Sequence, residues 1–305
     1  MQSNFFSAEE LAAAAPGFIP PPPKDYHVPT QFPSLLNAKQ ISIDLECNDP
    51  DINKKGPGVR RKDSYVVAVS LATEDWAEYY PLRHSCGQNV DESHLWKYLQ
   101  DNLNSFRGEI VGANVVLYDG DWIQSKGVKP QFAKWRDVQW AEALIDEISP
   151  SYHLRDLAQK YLKTGKVTEF LKSTYGADYI TRFREVHPGH ARAYGLGDVN
   201  LPLQILKFQK MELERLGMTD LFDLECRLAP FLLYMREQGV RVDLNRAANL
   251  DKTFDAERDA ALRQASELAG VQFTVENFGK TTLLAHVFQK LGIEVPNTEA
   301  GNPSI

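Results

Sequence analysis

Asp44 and Glu46 stand two residues apart in Ile41-Ser42-Ile43-Asp44-Leu45-Glu46, where apolar and polar side chains alternate. A period of two marks a half-buried strand and sends both acids to one face. Two anions on one face of an interior strand repel each other and lose hydration, so they call for positive charge between them. Hard carboxylate oxygens suit Mg²⁺ or Mn²⁺. For each acid alone, a surface or capping role competes with the metal reading. Asp119 follows the apolar run Ile110 to Val116, where a chain would leave a sheet for a helix; in Asp119-Gly120-Asp121 an ordinary turn competes. Asp198 falls in a stretch of helical spacing. Acids so far apart in sequence share a site only if the elements that carry them converge.

The strand at Gln40 is followed by a loop, Asn48 to Asp63, rich in Asn, Asp, Gly and Pro. Tyr65 to Leu71 and Trp76 to Leu82 read as two further strands joined by the acidic turn Thr73-Glu74-Asp75, giving an antiparallel meander. Asp91 to Leu103 has helical spacing, Glu109 to Val116 reads as a strand, Trp122 starts a short helix, and Arg136 to Val138 reads as a brief strand. Helices are expected at Leu154 to Leu162, around Phe170, and from His190 to Leu216, the last with Tyr194 and Asp198 on its early turns. This pattern predicts an α/β domain with a mixed sheet flanked by helices. Beyond Gly217 the pattern is all helical: Thr219 to Gln238, stopped by Gly239, then Leu244 to Ala269 and Lys280 to Leu291. A boundary is placed near Gly217, dividing the chain into an arm (1–35), an α/β domain (36–216) and a helical segment (217–305). Pro16, Pro20 to Pro23, Pro29 and Pro33 hold the arm near polyproline II, as a loosely packed tail or linker or as a partner-docking segment.

The 305 residues carry 34 basic and 41 acidic side chains, a net charge of -7, with 43% hydrophobic and 25% charged residues. These values exclude wholesale disorder and fibrous repeats. No apolar run reaches the ~20 residues that a membrane helix needs, so no membrane partner is expected. The Ala-rich stretch Leu11 to Ala15 lacks the basic start and length of a secretory signal. Cys47, Cys86 and Cys226 are widely spaced, which argues against a disulfide scaffold or a cysteine zinc site and fits a reducing, cytoplasmic setting. An acidic chain is a poor general coat for nucleic acid, but an enzyme meets its strand through local cations and bridging metals. The main local patch is Lys54, Lys55, Arg60, Arg61 and Lys62, in the loop after the first strand; a solvated loop competes with a phosphate-contacting one. His84, His153, His187 and His190 sit in no motif and read as structural.

Ile43-Asp44-Leu45-Glu46 resembles the first exonuclease motif (Asp-x-Glu) of proofreading DNA polymerases. Asn114-Val115-Val116-Leu117-Tyr118-Asp119 is similar to the second, and Tyr194-Gly195-Leu196-Gly197-Asp198 to the third, Tyr-x-x-x-Asp. Ser151-Tyr152-His153-Leu154-Arg155-Asp156-Leu157-Ala158 resembles the Ser-Tyr-x-Leu-x-x-Leu-Ala segment between them. Leu228 to Asp243 is similar to the opening of a polymerase thumb, and Phe278 to Ser304 to its later stretch, ending in Thr-x-x-Gly-x-Pro-Ser. From about Lys39 onward the chain thus resembles the family A DNA polymerases, especially the bacteriophage type.

The resemblance implies a ribonuclease H-like 3′–5′ exonuclease domain followed by the start of a thumb, located in the host cytoplasm if phage-encoded. It implies two Mg²⁺ or Mn²⁺ ions held by Asp44, Glu46, Asp119 and Asp198, with Tyr194 orienting water and Glu46 contacting the terminal 3′-hydroxyl. A phenol with a reference pKa of ~10 serves there by hydrogen bonding, not as the base. Asn114 precedes Asp119 by five positions, whereas many members have four, which keeps Asp121 open as an alternative ligand. Asn114 is expected in a structural or substrate-positioning role. A Gly-Pro-Gly-Val-Arg-Arg stretch like that at Gly56 to Arg61 occurs in similar phage polymerases and points that loop towards substrate. Leu45, Tyr118 and Trp122 lie near the motifs as platforms for bases or as core. The expected partner is a single-stranded DNA 3′ end, together with a palm-and-fingers chain if the polymerase is split, since the nucleotide-adding carboxylates do not occur in these residues. A ribonuclease D-like RNA exonuclease and a non-catalytic scaffold that docks a polymerase half on DNA are the alternatives.

Overall fold

The computed structural model describes residues 21–304 other than 25, 62, 166 and 167. Leu11 to Ala15, Pro16, Pro20 and Lys62 lie outside these residues. Two compact units divide after Gln238.

In the first unit, five strands form one sheet: β1 (Gln40–Asn48), β2 (Tyr65–Ala72), β3 (Ala77–Pro81), β4 (Glu109–Gly112) and β5 (Lys134–Asp137), in the order β3-β2-β1-β4-β5. The first three make the expected antiparallel meander, while β4 and β5 continue parallel from β1. The alternation in β1 sorts its side chains. Ile41, Ile43 and Leu45 enter a core with Leu95, Leu99 and Leu103 of α2 (Glu92–Leu103), behind the short α1 (Ile52–Lys55) in chain order. Each such burial stabilises the fold by about 1.5–3 kcal/mol. Ser42, Asp44 and Glu46 take the opposite face, which α7 (Pro188–Arg215) crosses.

Strand β4 ends at Gly112, four residues before the expected Val116. The run Val115-Val116-Leu117 is apolar and β-branched, which favours a strand locally. Tertiary structure overrides it: Asn114 turns left-handed (φ 59°), and Val115–Asp119 coils into one wide π-type turn ahead of α3 (Gly120–Ser125). Asp137 holds this turn, its Oδ1 accepting from the backbone N–H of Asn114 (3.1 Å) and of Gln139 (2.9 Å) at the start of α4 (Val138–Ile145). The brief strand read at Arg136 to Val138 becomes Lys134–Asp137, with Val138 beginning that helix. Then come α5 (Leu154–Leu162), α6 (Glu169–Tyr175) and a 3₁₀ segment, Tyr179–Glu185, leading into α7.

The packing boundary falls one helix later than Gly217. Helix α8 (Thr219–Gln238) buries Phe222, Cys226, Ala229 and Leu233 in the first unit, so the break follows it, where Gly239 adopts φ +70°. The second unit holds α9 (Leu244–Ala269) and α10 (Thr281–Lys290), with Ala269, Phe273 and Val287 as its small core.

The described part of the arm is largely exposed but is anchored to the domain at several points. Proline removes N–H donors but leaves carbonyl acceptors, and side chains of the domain use them. Tyr80 donates to Gln31 O (2.8 Å), Tyr98 to Pro33 O (2.7 Å), Phe32 stacks on Tyr80, and Leu35 is buried.

Candidate active site

Asp44 and Glu46 face α7 from β1. A helix must come close for its own acid to reach them, and small residues permit it. Ser70 is the cross-strand partner of Asp44, and Ala68 that of Glu46. Across from them sits Gly195, where a Cβ would lie 2.4 Å from Ser70 Oγ and 2.5 Å from Tyr79 Cδ2. Glycine therefore lets the α7 backbone lie against the sheet. Tyr194 directly precedes this contact, and Asp198 follows it by about one turn.

The result is a carboxylate group. One oxygen from each of Asp44, Glu46 and Asp198 lies within 4.8 Å of the others. Asp198 is 5% exposed, so its charge is withdrawn from water. Asp119 stands beside this group but is not one of the three. Its Oδ1 accepts from Leu45 N–H at 2.8 Å, which ties the π-type turn to the strand of the first two acids. Burial pushes its carboxyl well above the usual range, and the neighbouring Asp44 and Glu46 push it the same way. A site that destabilises its own anions favours a bound cation, which removes the penalty for all of them. The donor set, all carboxylate oxygen, fits Mg²⁺ or Mn²⁺.

Tyr194 lies among Tyr179 and Phe183, ring centroids 6.3 and 5.7 Å away. Burial first, then Glu46, Asp198 and Asp44, raise its phenol well above its ordinary value. It keeps its proton at neutral pH and acts as a hydrogen-bonding group.

Asp121 is directed elsewhere. Its buried carboxylate takes Arg60 at 3.3 Å and Arg236 at 3.5 Å. The cations of the 54–62 loop are not equivalent. Arg61 is turned inward, pairing with Asp49 and Asp63 and donating to Gly56 O, so it builds the loop. Lys55 pairs with Asp51 at 2.6 Å, Lys54 is exposed, and Arg60 remains about half exposed beside Asp121. A reading of charge along the sequence misses this division because Asp49, the partner that removes Arg61 from the surface, lies twelve positions upstream.

Leu45 and Trp122 are core residues, 4% and 2% exposed, so the side chain of Leu45 is closed to a base; its backbone N–H serves Asp119 instead. Tyr118 is half-buried against the same core. The histidines are structural where they are buried. His84 donates from Nδ1 to Val186 O (2.6 Å) and so accepts from Tyr79 Oη–H at Nε2 (2.7 Å). His190 is fixed in the same way between Pro21 O and Tyr175, and His187 caps α7. The sequence reading missed Asp137 and Arg236. The only hint of Asp137 was an acid directly ahead of an apolar run, the ordinary sign of a helix cap.

No protein-family model matches the chain. A DNA-directed DNA polymerase of Pseudomonas phage M6 is 32% identical over 280 residues, covering 90% of this chain and 42% of the relative. DNA polymerase DpoZ of Salmonella phage PMBT28 is 26% identical over 293 residues, and DNA polymerase I of Pseudomonas aeruginosa 26% over 284. The chain thus spans under half the length of these relatives, 42%, 44% and 29%. The Pol1 polymerase-domain structure from M. smegmatis, in complex with DNA primer-template and dNTP, is similar in fold, at 18% identity and a TM-score of 0.53, over 88% of this chain and 40% of that one. Among the described residues no helix is long and apolar enough to cross a membrane. With its five-stranded mixed sheet, the chain is thus similar over most of its own length to phage DNA polymerases, and in fold to part of a polymerase-domain structure.

Proposed function

We propose that this chain is a metal-dependent 3′–5′ exonuclease that hydrolyses the terminal phosphodiester of single-stranded DNA, as the proofreading part of a polymerase whose palm and fingers lie in further sequence or in a second chain. The observation that carries the reading is the meeting of Asp44, Glu46 and Asp198 oxygens within 4.8 Å, on the strand and helix that hold the first and third motifs.

Asp44, Glu46, Asp119 and Asp198 would hold two Mg²⁺ or Mn²⁺ ions. When bound, such a pair supplies a nucleophilic hydroxide and offsets charge on the attacking and leaving oxygens. The chain's own groups do the rest. Glu46 accepts from the terminal 3′-hydroxyl, and this contact sets the polarity of degradation. The protonated Tyr194 phenol donates to the attacking water and fixes its direction. Arg60 and Lys54 meet the phosphates, contacts that position a strand without reading it. Asn114 positions the turn that presents Asp119. Asp121, held by two arginines, is not the fourth ligand.

The test is a 5′-labelled single strand incubated with the chain and Mg²⁺ or Mn²⁺. Stepwise shortening from the 3′ end is expected, with EDTA and Asp44→Ala each abolishing it. Shortening that survives Asp44→Ala would refute the site. Shortening of RNA but not DNA would favour a ribonuclease D-like role, and shortening of neither would favour a scaffold.

A further inference from the structure

Three residues at one end of α8, Leu233, Arg236 and Glu237, join it to the turn that presents Asp119 and to the short helix that follows. Leu233 Cδ1 lies 3.2 Å from where a Cβ of Gly120 would stand, so the helix is packed directly on that turn. Arg236 donates through Nη1 to Leu117 O and lies 3.5 Å from Asp121 Oδ2. Gln124 Nε2 donates to Glu237 Oε2 at 2.9 Å. The anchors fall at 117, 120–121 and 124, on both sides of Asp119, and their partners at 233, 236 and 237 occupy one side of α8.

The turn needs such support. Its backbone departs from regular helix between a left-handed Asn114 and the start of α3. Leu117 O is held by a side chain as well as by its place in the turn. Arg236 reaches that carbonyl and, two residues past Asp119, the buried Asp121 carboxylate, whose other partner is Arg60 from the 54–62 loop. Both contacts leave Nη1, whose two hydrogens are fixed in the guanidinium plane and so serve two fixed acceptors; the hydrogens of a lysine ammonium rotate freely and hold the pair less firmly. Asp119 itself is tied on its other side to Leu45 N–H.

We propose that Arg236 is a positioning residue for the exonuclease site: by bridging Leu117 O and the Asp121 carboxylate it holds Asp119 where a metal ion can be bound. The inference rests on the proposed nuclease reading and extends it to a helix that contributes no ligand. Arg236 touches neither substrate nor ion. Its loss lowers metal affinity and turnover and leaves DNA affinity unchanged, unlike the loss of a phosphate-binding arginine.

The test compares the full chain with Arg236→Met, Arg236→Lys and Arg227→Met, an exposed arginine of the same helix that serves as control. Mn²⁺ binding is measured by calorimetry and kcat and KM on single-stranded DNA by gel assay, both well below the unfolding transition, and Tm by circular dichroism. Arg236→Met is expected to weaken Mn²⁺ binding and kcat roughly 10-fold or more, as removal of outer-shell support does, with KM for DNA within about two-fold. Arg236→Lys recovers part of the loss, and Arg227→Met changes nothing. Asp121→Asn reproduces the Arg236→Met defect, and the double variant is no worse than either single one. A lowered Tm with unchanged Mn²⁺ affinity and kcat would make Arg236 merely structural and overturn the inference. So would a raised KM with unchanged Mn²⁺ affinity. An unaltered chain that neither binds Mn²⁺ nor shortens DNA removes the nuclease reading, and the inference with it.

Discussion

Asp119 shows how burial turns an ordinary acid into a poised one. Burial, then the neighbouring Asp44 and Glu46, push it towards its protonated form, a penalty that a bound cation would offset. Tyr194 is pushed the same way and is thereby kept a donor. Tyr194→Phe should cut kcat about 100-fold through a misdirected water, with Mn²⁺ affinity unchanged by calorimetry. A comparable loss of Mn²⁺ binding would instead make the phenol part of the metal site. His84 gives a pH prediction remote from the chemistry. Burial lowers its pKa from 6.5 to about 4. Between those values the unfolded chain takes up a proton that the folded one refuses. The contribution is therefore present above about pH 6.5 and lost as pH falls towards about 4. Urea unfolding should show about 2 kcal/mol less stability at pH 5 than at pH 7 from this group, a difference that His84→Gln removes.

At the scale of elements, the site depends on how close α7 comes to β1 and β2. Gly195→Val places methyl groups into Ser70 and Tyr79, and overpacking of that kind costs about 1–3 kcal/mol. It should lower Tm and abolish nuclease activity together, because Asp198 moves with the helix. Unchanged activity would separate the helix position from the site. Much of this was legible in the residues. The alternation of Ile41 to Glu46, the meander and the bounds of α8 and α9 agree with the structure because local pattern and tertiary role point the same way there. The π-type turn was not legible. Val115-Val116-Leu117 has strand propensity, and what overrides it is a carboxylate twenty-three positions away, Asp137 on Asn114 N–H. The inward turn of Arg61 was hidden for the same reason, its partner lying outside the local window.

At the scale of the whole molecule, α8 belongs with the sheet although the chain turns all helical at Thr219. Composition marks the change in element type; burial of Phe222, Cys226, Ala229 and Leu233 marks the packing boundary. A chain ended at Gln238 is expected to fold with a Tm close to that of the full chain, and one ended at Gly217 to be strongly destabilised, since those four side chains leave the core. Equal Tm values for the two truncations would return the boundary to Gly217. The central claim, that acids from a strand, a turn and a helix converge on metal ions, is tested most directly by anomalous scattering from crystals soaked in Mn²⁺. The account predicts peaks at coordination distance from Asp44, Glu46 and Asp198, and their loss in Asp44→Ala. Mn²⁺ bound only elsewhere, or no peak at these carboxylates, would contradict it.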